Sequence, residues 1–324
     1  MSDALPVIAA LAVVALASWG LPALTLRLLE PRFRRKTVPN FRGREVYLGL
    51  GWAWIAWVVA VLLVRVAAFA LVFASRDGRD AGLPFEPVLL ASIDVPVLLT
   101  AGAFLFGWLD DIRGTSEFRG FRGHLRALGT GRVTTGLLKL VGVGALAVLF
   151  GYSAARSQPG VYSIAIRWPL AAVVIAASAN LVNLFDLRPG RALKVYTVLA
   201  LAGAVLAPVW YVFGSGASVA GFTLSVLVLL LGPALAIWPY DLCERGMLGD
   251  AGANAAGALA GYMLAANLPL PALAVAAALL VGLNLASERV SFSAVIERTP
   301  ALRALDRLGR LPQAAEENPS AESV

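Results

Sequence analysis

Three short acidic motifs carry the side chains most able to do chemistry: Phe106-Gly107-Trp108-Leu109-Asp110-Asp111, Asn180-Leu181-Val182-Asn183-Leu184-Phe185-Asp186, and Met247-Leu248-Gly249-Asp250-Ala251-Gly252-Ala253-Asn254. The first two close apolar segments and the third opens one. At a helix C-terminus the macrodipole is negative, so Asp110, Asp111 and Asp186 are each disfavoured by roughly 0.3–1 kcal/mol. Adjacent carboxylates also repel, so something cationic is expected to offset the cost, either Mg²⁺ or a basic loop. Mg²⁺ suits this chemistry because it takes one or two carboxylates together with substrate phosphates. Two plainer readings stay open. The helix-end acids can be solvated loop residues paired with Arg113 or Arg188, and Asp250 can be an N-cap. A cysteine or histidine metal site is not expected, because Cys243 and His124 are the sole residues of their types.

The elements that hold these acids are membrane helices. The chain has 324 residues, 15% of them charged, and a mean hydropathy of +0.77. Apolar stretches long enough to span a bilayer recur along it. They predict an all-α, polytopic transmembrane helical bundle of about nine spans, near 4–29, 46–75, 87–109, 135–153, 163–185, 192–213, 218–238, 252–267 and 270–287. Residues 1–290 form the transmembrane domain on this reading. Residues 291–310 are an amphipathic helix at the membrane surface, with Ile296, Leu302, Leu305 and Leu308 as its apolar face, and 311–324 are a disordered tail.

The net charge of +7 sits in short connections. Arg32, Arg34, Arg35, Lys36, Arg42 and Arg44 follow the first span, Arg113 to Arg132 the third, and Arg188, Arg191 and Lys194 the fifth. Alternate loops therefore agree on N-terminus out and C-terminus in, with the acidic motifs on the cytoplasmic side. The base excess is read as topology and phosphate binding, and no nucleic acid is expected.

Polar residues inside the spans need partners. Asn180 and Asn183 are helix–helix contacts or orient Asp186. Gly249, Ala253, Gly257 and Gly261 form a small-residue stripe that lets another helix approach closely. Arg65 and Asp94 lie roughly 15 and 11 Å from the predicted outer ends of neighbouring antiparallel spans, at 1.5 Å per residue. They are expected to form a salt bridge or share a polar cavity.

Taken together, Asp110-Asp111, Asn180…Asp186 and Gly249-Asp250-Ala251-Gly252 resemble the motifs of the polyprenyl-phosphate N-acetylhexosamine-1-phosphate transferases. That bacterial inner-membrane family includes phospho-MurNAc-pentapeptide translocase and the GlcNAc-1-phosphate transferases. The resemblance covers most of the chain and implies an enzyme of cell-wall or surface-glycan precursor synthesis. Undecaprenyl phosphate would attack the β-phosphate of a UDP-amino-sugar and release UMP. It implies Mg²⁺ held by Asp250, with Asp111 as a further ligand. Asp110 and Asp111 would position or deprotonate the lipid phosphate, and Asp186 would support nucleotide or metal. Asn180, Asn183, Arg188, Arg191 and Lys194 would bind substrate. The implied partners are undecaprenyl phosphate, a UDP-amino-sugar and membrane lipid, with a homodimer as the expected assembly. The chain departs from the family pattern at Pro189, which stands where a second aspartate is usual. The segment Ser287-Glu288-Arg289-Val290-Ser291-Phe292-Ser293 holds no histidine, Pro39-Asn40-Phe41-Arg42-Gly43 replaces a Gly-Gly loop, and no tenth span follows. Two other readings stand beside the enzyme: a relative that binds polyprenyl phosphate without transfer, and a transporter or flippase.

Overall fold

The computed structural model describes residues 12–74, 94–114, 120–157, 164–205 and 219–311. Among them run twelve helices. In chain order they are α1 Ala12–Phe33, α2 Trp52–Ala74, α3 Asp94–Arg113, α4 Gly120–Gly129, α5 Thr135–Arg156, α6 Ile164–Phe185, α7 Arg191–Val205, α8 Val219–Leu242, α9 Gly249–Asn267, α10 Leu270–Ser287, α11 Phe292–Arg298 and α12 Pro300–Arg307. Five of these, α1, α3, α5, α6 and α10, are long and apolar enough to cross a membrane. Shorter apolar stretches lie at Trp52–Ala67 in α2 and Val226–Leu242 in α8. The chain is thus an all-α bundle with the helices of a membrane protein. Among the described residues, Leu and Val predominate in its exposed large apolar side chains. The expected tail lies outside the described residues from 312 onward.

Helix α9 occupies the centre, packed by α2, α3, α5, α6 and α7. It is too rich in glycine and alanine to be strongly apolar, and it has no need to be, because its neighbours shield it from lipid. Its small residues let backbones touch. A Cβ at Gly257 would stand 2.5 Å from the Ser178 carbonyl oxygen. The approach buries Ala253, Ala256, Leu259 and Ala260 against Trp54, Tyr196 and Phe104.

One departure from the expected spans has a local cause. Residues 46–48 do not begin a helix. They belong to β2 (Glu45–Leu48), which pairs antiparallel with β1 (Thr37–Pro39) and parallel with β3 (Gly246–Met247). Gly49 and Gly51 then separate the strand from α2, consistent with the poor helix propensity of glycine. This small sheet ties the α1–α2 connection to the α8–α9 connection. Glu244 strengthens the tie by pairing with Arg42 at 2.9 Å and accepting from Asn40 Nδ2 at 3.0 Å.

Arg65 and Asp94 form the expected ion pair, α2 to α3. The C-terminal segment is two short helices rather than one. Ile296 packs inward, while Leu302, Leu305 and Leu308 remain exposed.

Candidate functional site

The acids of all three motifs converge at one end of the bundle. Helices α3 and α9 touch there through backbone, since a Cβ at Gly107 would sit 2.3 Å from the Asp250 carbonyl oxygen. One turn further along α3, Asp110 and Asp111 meet the N-terminus of α9. Asp111 Oδ1 accepts the Asp250 N–H and Oδ2 the Ala251 N–H, both at 2.9 Å. An anion at a helix N-terminus is favoured by the dipole and satisfies orphan donors. The unfavourable C-terminal dipole of α3 is therefore answered by the favourable end of α9.

That contact decides between the two readings of Asp250. It is not the N-cap of its helix, because Asp111 from α3 does the capping. The Asp250 side chain turns instead to Lys139 on α5, with Oδ2 2.8 Å from Nζ. Lys139 also lies 2.7 Å from Asp110 Oδ2, and the Thr135 hydroxyl donates to Asp110 Oδ1 at 2.6 Å. The Asp110 and Asp250 carboxyls are within hydrogen-bonding reach of each other. Two carboxyls so close need a shared proton or a cation, and Lys139 supplies positive charge to both.

Asp186 joins the cluster from the turn after α6. Its Oδ2 accepts the Gly249 N–H at 2.9 Å. Burial drives its pKa well above the ordinary carboxylate value, and Asp241 adds to the shift, while the Gly249 N–H works against it. Gly249 itself has φ +68°, and a Cβ there would meet Asp111 Oδ2 at 2.8 Å. Both its conformation and its space call for glycine. Asp241, at the end of α8, accepts the Gly190 N–H at 2.7 Å and so holds the 186–190 turn.

The other expected substrate residues go elsewhere. Asn180 donates to Asn284 Oδ1 of α10 at 2.6 Å, a helix–helix contact, and Asn183 lies one turn before Asp186. The three cations expected to bind diphosphate face the C-terminal helices instead. Arg188 pairs with Glu297 at 2.9 Å. Arg191 makes two hydrogen bonds to Asp306, at 2.8 and 2.9 Å. Lys194 donates to the carbonyls of Leu305, Asp306 and Leu308, the orphan acceptors at the end of α12. Arg188 is thus not a partner of Asp186.

Sequence reasoning missed Lys139, Thr135 and Asp241. Lys139 had a signal, being a lone cation one turn inside an apolar helix, where an ionisable residue is by default functional.

Among the described residues no three His, Cys, Asp or Glu side chains gather as a ready-made metal cage. No protein-family model matches the chain, and no curated protein matches it. Fold and site together define a helical membrane protein with a lysine-bridged acidic cluster at one end.

Proposed function

We propose that this protein transfers a sugar-1-phosphate from a UDP-amino-sugar to undecaprenyl phosphate, at the cytoplasmic face of a bacterial inner membrane. The observation that carries the reading is the meeting of three acidic motifs, from α3, the α6–α7 turn and α9, at the N-terminus of α9, with Lys139 between Asp110 and Asp250. The basic connections after α1, α3 and α6 lie at the same chain ends as these acids, which supports a cytoplasmic site with the N-terminus out and the C-terminus in.

In the reaction an oxygen of the lipid phosphate bonds to the sugar-bearing β-phosphorus. The bond from that phosphorus to the bridging oxygen breaks, and UMP leaves with the electron pair. Such transfers depend on positioning and charge neutralisation. Lys139 keeps Asp110 and Asp250 side by side, and α9's N-terminus fixes Asp111. Asp186, buried beside them, fixes the Gly249 N–H at the head of α9.

The residues that would hold Mg²⁺ are Asp250 and Asp110, hard oxygen donors that share Lys139 at 2.8 and 2.7 Å. Asp111 is the less available ligand, since both its oxygens already accept N–H groups. When bound, Mg²⁺ would neutralise diphosphate charge beside these side chains.

One observation favours a second reading, a relative that binds polyprenyl phosphate without transfer. Arg188, Arg191 and Lys194 are all engaged by the C-terminal helices. The test is purified protein with Mg²⁺, undecaprenyl phosphate and a panel of UDP-sugars. Release of UMP with at least one sugar is expected. Lipid phosphate binding with no UMP from any sugar would establish the second reading instead.

A further inference from the structure

The C-terminal helices are held to the bundle mainly by charge. Of the eight residues of α12 only Asp306 is buried, while Leu302 and Leu305 are 42% and 61% exposed. In α11 Ile296 is the buried side chain, and Phe292 stacks on Phe185 at the end of α6 with ring centroids 5.2 Å apart. Cations make the polar ties. Arg191 grips both Asp306 oxygens and donates to the Ser293 hydroxyl at 2.8 Å. Arg188 pairs with Glu297, and Lys194 donates to three carbonyls at the end of α12. Arg310 closes the ring, donating to Asp306 at 2.6 Å and to the Pro189 carbonyl at 2.7 Å.

A segment with few buried apolar contacts is drawn from the low-stability end of a fold and opens locally at small cost. What keeps this one closed is a carboxylate in a guanidinium fork. A phosphate meets the same fork with the same two parallel N–H bonds, so Asp306 occupies, from within the chain, a place that another anion can contest. The cations concerned stand within eight positions of Asp186, in the turn after α6 and the first turn of α7. Asp186 in turn holds the head of α9 through the Gly249 N–H. While α11 and α12 are seated, the cations beside the acidic cluster are engaged by carboxylates and carbonyls of the same chain.

We infer that α11 and α12 form an autoinhibitory latch: Glu297 and Asp306 neutralise Arg188, Arg191 and Lys194 in the closed state, and a multivalent phosphate anion opens the latch by competing for those cations. That closure slows transfer rests on the function proposed above, but the latch does not. The exchange conserves charge, because the entering anion replaces the carboxylates that leave. It also shifts a two-state equilibrium only as far as the anion prefers the open state, and the anion has that preference because the closed state leaves these three cations engaged.

The experiment follows amide hydrogen exchange of residues 292–307 in the full chain in nanodiscs, with divalent cations chelated and inorganic pyrophosphate as the probe. In E297Q/D306N the segment is expected to exchange at least about tenfold faster, as loss of charge-assisted contacts implies, while α9 exchanges as in the wild type. The same variant is expected to bind pyrophosphate at least about tenfold more tightly, because its cations are released. The wild type supplies a readout that needs no substitution: pyrophosphate should speed exchange across 292–307, and sodium chloride at matched ionic strength should not. In R191Q/K194Q the segment should exchange fast with or without pyrophosphate. Unchanged exchange in E297Q/D306N would overturn the latch, as would equal pyrophosphate affinity in that variant and the wild type, or a wild-type segment that pyrophosphate leaves closed. UMP release is scored separately. Faster release in E297Q/D306N at low UDP-sugar supports autoinhibition, and equal release from an opened latch overturns it. No UMP from either protein, with pyrophosphate still opening the segment, removes the transfer and leaves the latch.

Discussion

Replacing Lys139 by methionine removes the cation shared by Asp110 and Asp250 while keeping the length of the side chain. The lysine lies 2.7 and 2.8 Å from the two carboxylates, and the side chains of Lys139, Asp110 and Asp250 are 16%, 12% and 27% exposed. Removing one partner of a fully buried pair costs about 3–5 kcal/mol, because the other charge is left without compensation. Here Thr135 still donates to Asp110 and solvent reaches part of Asp250, so a loss of about 2–3 kcal/mol is expected. Adding Asp250→Asn to Lys139→Met removes the repulsion and should restore at least about 1 kcal/mol, a coupling between neighbours that a double-mutant cycle isolates. The assay is unfolding of the purified protein in mixed micelles, followed by tryptophan fluorescence. A Lys139→Met protein as stable as wild type would refute the reasoning. An Asp250→Asn change that gave no repair in that background would refute it too.

Further outcomes follow from the same contacts. Gly249→Ala should destabilise by about 1–2 kcal/mol through its left-handed backbone alone, and should displace Asp111 from the α9 N-terminus; a stability loss below that range in the same unfolding assay would count against the cap. Asp306 lies between Arg191 and Arg310 at 2.8 and 2.6 Å. Burial works to raise its pKa, but the two arginines outweigh it and hold it below the ordinary carboxylate value. The folded carboxyl thus binds its proton more weakly than the unfolded one. Its stabilisation is complete above the ordinary carboxylate range and is lost as pH falls through the lower folded value. Limited proteolysis should accordingly cut near residues 288–300 more readily as pH drops through that range, and Asp306→Asn should be cut readily at neutral pH. Asp94→Asn should destabilise the wild type but much less an Arg65→Met background, and equal losses in both would show that the α2–α3 pair contributes nothing.

Much of this was legible from the residues, and the misses share a cause. The bundle follows from apolar stretches, and the Arg65–Asp94 pair from counting inward along antiparallel helices. Both depend on period and length, which a sequence carries openly. The cationic answer to the helix-end acids was also expected, but its source was not. Asp111 is capped by peptide groups 139 and 140 positions away, and no local pattern announces a cap donated between helices. Lys139 stands one turn inside an apolar helix, and nothing local says that Asp110 and Asp250 are the acids it meets. Val46, Tyr47 and Leu48 read as the start of α2 because they are apolar, yet they pair as a strand with residues 245–247 and the hairpin. Arg188, Arg191 and Lys194 looked like free phosphate binders because their partners, Glu297 and Asp306, lie more than a hundred residues on. In each case composition told what the side chain needs, and only the fold told which partner meets the need.

On the function proposed, Asp110, Asp250 and Lys139 form the centre of a Mg²⁺-dependent phospho-sugar transfer. The most direct measurement is UMP release from UDP-amino-sugars by the reconstituted protein with undecaprenyl phosphate, compared with Asp110→Asn and Asp250→Asn proteins shown to be folded. The account predicts release that requires Mg²⁺ and falls by at least about a hundredfold in either variant, the scale of losing one electrostatic contact to a transition state. Undiminished release in Asp250→Asn, or release that persists with Mg²⁺ chelated, would contradict it.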